Sequence, residues 1–304
     1  MPPPLFLTGT SGFVGRRLLS RLAGAGYSEV RLLTRDPARL AAPGGLPPTW
    51  QVVPGDLADP GGWAGALRGT DTVVHLAAAT GKARRQVHLA VNLEGTRRLL
   101  QVAQAAGVRR FLYVSSIAVA YPDRPHYHYA ETKAAAEGLV GASGLEFLIV
   151  RPTLVLGPGS PLLASLRRLA LLPVPLIFGN GTPLVQPVHV DDLAHLLEAA
   201  LGLADWGGHA ITVGGPELVS IEELLLRIRA TRKPDGRGLL HLPLGPARLL
   251  LSLLEPILFP LLPFTAGQLA LFANPSVAEP HAVLAGLPAA GRGLDAMLDA
   301  GGSA

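Results

Sequence analysis

The stretch LFLTGTSGFVGRRLL, residues 5–19, sets a short apolar run directly against a turn with glycines at positions 9, 12 and 15, followed by the helical spacing of Val14, Leu18 and Leu22. A strand that ends in such a turn and leads at once into a helix is the opening of a βαβ unit. Gly9 permits the tight turn, Gly12 lets a pyrophosphate approach the backbone, and Gly15 lets the helix pack closely, while the helix start offers free N–H groups to an anion. Strand, triplet and helix in this order favour a bound dinucleotide over a plain structural turn. The turn residues Gly9, Thr10, Ser11, Gly12, Phe13, Val14 and Gly15 are therefore the first candidate cofactor contacts.

The pattern that follows agrees with this start. VRLLT, WQVV, TVVHLA, RRFLYVSS and EFLIVRP read as further strands, and helical spacing such as Val91, Thr96, Leu99 and Val102 lies between them. Alternating strands and helices predict an α/β fold, a doubly wound parallel sheet with right-handed crossovers. After residue 155 leucine and proline rise, so residues 1–155 are expected to form the dinucleotide-binding domain. Residues 156–304 are expected to form mostly a smaller C-terminal substrate lobe, with strands near 185–213 returning to the sheet. Ser220, three residues before Glu223, marks a helix start.

Hydrophobic residues make up 49% and charged residues 16% of the 304, which argues for a folded chain with a sizeable core. No cysteine is present, so disulfides, thiolate metal sites and cysteine nucleophiles are excluded. The first residues lack a basic segment ahead of an apolar one, and a cytoplasmic address is expected. The pI near 9.7 comes from scattered arginine pairs, which fit solvated helix faces better than a nucleic-acid surface. Residues 243–272 are the most apolar part, but Arg248, Glu255, Pro256, Pro260 and Pro263 interrupt them. Two broken helices over a substrate cleft are expected there in preference to a span or a membrane-surface hairpin.

The second strand ends in Thr34-Arg35, where the adenosine ribose of a bound dinucleotide should lie. Arg35 there, with Arg16 after the last motif glycine, favours a ribose phosphate and hence NADP(H) over NAD(H). Asp36 keeps NAD(H) open, and the plainer reading makes Arg35 and Arg39 solvated charges at a helix start.

The run YHYAETK, residues 127–133, holds one of only three lysines in the chain. Tyr129 and Lys133 are four apart, so on a helix they share a face, whereas Tyr127 should point elsewhere. A free tyrosine has a pKa near 10, and a nearby ammonium favours the phenolate, so the pair suits proton transfer. His126 and His128 near Asp123 resemble metal spacing, but exposed loop histidines are the better reading, and no metal is expected. His75 and His189 read as core or loop-anchoring residues.

Taken in order, TGTSGFVG, GDL (55–57), HLAA (75–78), VNLEGT (91–96), YVSS (113–116), YAETK (129–133), RPTLVLGPG (151–159) and VHVDDLA (188–194) resemble the extended or atypical short-chain dehydrogenase/reductases. GPE (215–217) and TAGQLALF are similar to one branch, the bacterial relatives of the nucleotide-binding accessory subunit of respiratory complex I. The resemblance implies a Rossmann-like fold in which Asp56 and Leu57 flank the adenine and Ala77 lies along the cofactor. It puts Asn92 beneath the nicotinamide ribose region, and Pro152 and Leu154 against the nicotinamide face. Ser116, Tyr129 and Lys133 match the family's serine, acid/base and ribose-holding lysine. Only twelve residues separate Ser116 from Tyr129, fewer than in the family's sugar-nucleotide epimerases, which makes a sugar nucleotide a poorer expectation. The expected activity is an NADP(H)-dependent oxidoreductase of a small, partly apolar carbonyl or secondary alcohol. The alternatives are a non-catalytic nucleotide-binding structural protein and an epimerase or dehydratase that retains its cofactor.

Overall fold

The computed structural model describes residues 2–40, 45–233, 238–262 and 264–299. Seven strands make one parallel sheet: β1 (Leu5–Thr8), β2 (Val30–Thr34), β3 (Gln51–Pro54), β4 (Thr72–His75), β5 (Arg110–Val114), β6 (Glu146–Pro152) and β7 (His209–Val213). Across the sheet they run β7-β6-β5-β4-β1-β2-β3, and every pairing is parallel. The six strands legible in the N-terminal half are all present, and the Rossmann-like α/β architecture is the one expected.

Strands covered on both faces must be apolar on both, and all four residues of β1 and of β4 are buried. Leu5 and Leu7 of β1 pack toward α1 (Phe13–Gly24), while Phe6 faces the other side of the sheet. The short α2 (Arg85–His88) precedes a wide helical turn over Leu89–Glu94, which runs into α3 (Gly95–Ala105). With α4 (His128–Gly141), α3 covers the Phe6 face through Leu99, Leu100, Ala103, Ala136 and Val140. A second core lies beyond β6. There α5 (Pro161–Ala170) supplies Leu163, Leu166 and Leu169, against residues C-terminal to it in sequence. Next in the chain, α6 (Val190–Leu201) returns to the main sheet beside α1, while α7 (Ile221–Ala230) gives Leu224, Leu225 and Ile228 to the second core. Ser220 Oγ accepts from the Glu223 N–H at 3.0 Å and so caps α7.

The apolar segment differs from the expectation of two broken helices. Residues Leu244–Leu258 form one continuous helix, α8, which contains Pro256, and a six-residue 3-10 helix follows at Gly267–Phe272. Pro256 is the third residue from the end of α8, so the Ser252 carbonyl loses its intrahelical N–H donor there, and the helix ends two residues later. Pro263 lies outside the described residues. Among the described residues, no helix is long and apolar enough to cross a membrane. Just beyond α8, Lys82 Nζ donates to the carbonyls of Phe259 (2.8 Å), Pro260 (3.1 Å) and Leu262 (2.7 Å). A cation at a helix C-terminus also opposes the helix dipole.

Replacing Lys82 with Met is expected to lower stability by about 1–3 kcal/mol, because three carbonyls lose a charged donor. Urea denaturation measures the loss. Amide exchange at residues 258–262 should quicken, and unchanged exchange there would mean that the clamp is incidental.

Candidate active site

The turn between β1 and α1 is held by close backbone approach. Gly9 has φ +75°, and a Cβ there would fall 2.4 Å from the Ala77 nitrogen. A Cβ on Gly15 would meet the Gly9 carbonyl oxygen at 2.4 Å. Gly12 caps α1 without a side-chain hydrogen bond, and no acidic residue stands in the first turn. The first N–H groups of the helix therefore lack intrahelical acceptors and face the turn. Thr10 Oγ1 is buried there with no partner. A glycine cradle with free N–H donors fits a dinucleotide pyrophosphate.

A cavity of about 1020 Å³ runs past this turn along the carboxyl ends of the strands. Such a crevice is where open α/β sheets bind ligands, at the point where strand order reverses between β1 and β4. Arg35, Asp56 and Leu57 line one end; Gly9, Ser11, Gly12, Phe13, Val14, Gly15 and Ala77 line the middle. Ser116, Tyr129, Lys133, Pro152 and Leu154 line the wall beyond. Three expected contacts stand elsewhere. Thr10 is buried behind the turn, and Arg16 donates to the Ser11 carbonyl at 2.8 Å from outside the lining. Asn92 is buried in the wide turn, where its Oδ1 accepts from the Ala79 N–H (2.7 Å) and its Nδ2 donates to the Ala79 carbonyl (3.1 Å). It holds the loop after β4 rather than lining the cavity.

At the adenosine end, Asp36 Oδ1 accepts from the Ala38 N–H at 3.1 Å and is committed to capping a turn. Arg35 lies 3.8 Å from Asp56, with its side chain 76% exposed.

Tyr129 and Lys133 sit on α4 and Ser116 just after β5, so two adjacent elements meet in one wall. Ser116 Oγ accepts from the Ala118 N–H at 3.2 Å, which fixes it at the start of a short turn. Lys133 is 1% exposed. Its Nζ donates to the Val114 carbonyl at 2.6 Å and lies 4.1 Å from the centre of the Tyr113 ring. Burial drives its pKa down from 10.5 to about 7, with Glu137 pulling the other way. Burial raises Tyr129 above the ordinary tyrosine value, and the Ser116 hydroxyl opposes that rise. The expected lowering of Tyr129 by Lys133 is thus not the arrangement seen, because the ammonium is turned to the end of β5.

Tyr127 is a second difference. The helix begins at His128, so Tyr127 occupies the cap position and is free of the helical lattice. Its ring centre lies 5.8 Å from that of Tyr129, and both line the cavity. Lys82 and Arg168 also line it and carried no signal in the sequence beyond their charge. His75 is a buried bridge, with Nδ1 2.6 Å from Thr8 Oγ1 and Nε2 2.9 Å from Thr96 Oγ1, and burial takes its pKa to about 3. His189 Nδ1 accepts from the Asp191 N–H at 3.1 Å and caps α6. His128 pairs with Glu131, and Asp123 with Arg248.

Fold and site together define a nucleotide-binding α/β protein. A profile of the NAD dependent epimerase/dehydratase family matches residues 5–214, and the chain belongs to that family. It is similar to a ceramide reductase of Caulobacter vibrioides, 34% identical over 198 residues, covering 64% of this chain and 59% of that protein. It is also similar to a 3 beta-hydroxysteroid dehydrogenase/Delta 5-->4-isomerase of Mycobacterium tuberculosis, 35% identical over 181 residues, covering 51% and 48%. The chain thus spans about half the length of these curated relatives. The solved structure of MoeE5 in complex with UDP-glucuronic acid and NAD superposes with a TM-score of 0.73 at 25% identity, covering 98% of this chain and 97% of that one.

The buried lysine has a pH signature. Because its folded pKa is about 7 and its ordinary value 10.5, the unfolded chain binds more protons there between those values, and stability rises with pH across that window. Below it both states are charged, and the folded state bears the full cost of the buried ammonium. Lys133→Met is expected to stabilise the protein at neutral pH by on the order of 2–4 kcal/mol and to flatten the rise toward pH ~9.5. Chemical denaturation at both pH values decides it; a parallel pH dependence in the variant would refute the assignment.

Proposed function

We propose that the chain is an NADP(H)-dependent oxidoreductase of a carbonyl or secondary alcohol, with Ser116, Tyr129 and Lys133 at the reacting centre. The observation that carries this reading is their convergence on one wall of the cavity that the glycine turn also lines. When bound, the nicotinamide supplies or accepts the hydride at the carbonyl carbon. The chain's residues handle the oxygen: Ser116 orients it by a hydrogen bond, and Tyr129 delivers the proton that completes the alcohol. Burial holds the phenol protonated but makes it a weaker acid, so nearby positive charge is needed for it to release the proton at the carbonyl oxygen. Lys133 supplies positive charge near Tyr129 once its ammonium leaves the Val114 carbonyl. The preference for the phosphorylated cofactor rests on Arg35 at the cavity edge and on Asp36 being spent on its turn.

A second reading is a nucleotide held without net turnover, as the similarity to relatives of the respiratory accessory subunit suggests, or an epimerase or dehydratase that retains its cofactor. The observation favouring it is that Lys133 is already satisfied by Val114 and Tyr113. Mass spectrometry of the nucleotide that co-purifies, followed by NADPH oxidation over a carbonyl series, separates the readings.

With a confirmed substrate, Tyr129→Phe is expected to lower turnover by about 10²–10⁴ while NADPH affinity holds. Near-wild-type turnover in that variant would overturn the assignment. NADPH should bind more tightly than NADH, and Arg35→Ala should narrow the gap by about 1–3 kcal/mol. Equal affinities in the wild type, by calorimetry, would remove the cofactor preference.

A further inference from the structure

A second cavity of about 500 Å³ lies beside the first, within the range of small-molecule sites. Its walls come from α5, α8 and the short paired strands Leu176–Phe178 and Leu240–Leu242. Ser165, Arg168 and Phe264 line both cavities, so the second is a side chamber of the substrate end of the cleft. The polar side chains among its lining residues are Ser165 and Arg168, and both stand at that junction. Beyond them the wall is hydrocarbon, from Leu169, Leu176, Phe178, Leu242 and Leu251.

The outer edge is apolar as well. Leu172 and Leu250 line the chamber yet are 37% and 58% exposed. The exposed face of α8 continues this rim through Leu253 and Ile257, which are 65% and 80% exposed. Scattered surface leucines need no explanation, but a contiguous apolar rim around an apolar chamber does. A polar substrate would gain nothing from such walls and would lose its hydration. A hydrocarbon chain loses nothing polar and removes both its own surface and the chamber's from water.

We propose that this chamber holds the hydrocarbon chain of the substrate, so that the substrate is an amphiphile with its carbonyl or hydroxyl at Tyr129 and an alkyl or acyl chain running past Arg168 into the space between α5 and α8. This rests on the oxidoreductase reading for the position of the reacting group, but the chamber itself is tested without turnover. The occupant is fixed by continuity: a chain that enters the chamber from the cleft is attached to whatever lies at Tyr129.

The test is calorimetric binding of 2-alkanones from about four to twelve carbons, with NADPH present. Affinity is expected to rise about three- to fourfold per methylene until the chamber is filled, and then to level. Ala247→Phe fills the chamber, and Leu250→Glu places a carboxylate on its exposed rim, where folding tolerates it. Each should weaken the longest ketone at least tenfold and leave 2-butanone and NADPH binding unchanged. An affinity independent of chain length, or a dependence that both chamber variants leave intact, overturns the proposal. A flat series together with self-association in sedimentation that Leu250→Glu abolishes also overturns it, in favour of an interface between copies of this chain. A normal series without NADPH oxidation would sink the oxidoreductase reading and leave the chamber standing.

Discussion

The closeness of the Gly9 turn to Ala77 is the contact on which the site depends. There is no room for a side chain between the end of β1 and the loop after β4, and the Ala77 N–H is held to Thr8 Oγ1 at 3.3 Å. His75 ties the same two strands to α3 through Thr8 and Thr96. Behind it, Asn92 fixes the Ala79 backbone. These bonds hold the crevice open at the strand ends, so that the N–H groups of α1 and the α4 wall face one volume. A larger residue at position 9 would both strain a positive φ and push the loop into that volume.

The electrostatics of the α4 wall follow from burial more than from pairing. Lys133, Tyr129 and Tyr127 are all shifted toward their neutral forms by desolvation. Such a desolvated wall is a low-dielectric surface, in which any charge acts at greater strength than in water. The apolar walls of the adjoining chamber continue that character toward α8.

Much of the fold could be read from the chain because each central strand is an apolar run bounded by turn residues, and burial on both faces leaves no other reading for LFLT or TVVH. The shared face of Tyr129 and Lys133 was legible for the same reason: helical periodicity fixes direction. Where a side chain's direction is set by something other than periodicity, the sequence was silent. Tyr127 looked like a helical residue but is a cap, one position outside the lattice. Lys133 turns toward Val114, an acceptor on another element whose distance no spacing rule supplies. Asn92 was assigned to a ligand on the strength of the resemblance and is instead spent on the backbone of Ala79. Pro256 looked like a break in the apolar run, and α8 instead runs through it for two more residues before it ends.

The three carbonyls gathered by Lys82 carry a mechanical consequence. Lys82 belongs to the loop that follows β4, and the carbonyls belong to the turn after α8; Lys82, Pro260 and Leu262 all border the main cleft, while the first half of α8 borders the chamber. One ammonium therefore joins two segments far apart in sequence. The turn after α8 is thereby fixed to the loop after β4 by a single side chain, so the two segments share one position at the mouth of the cleft.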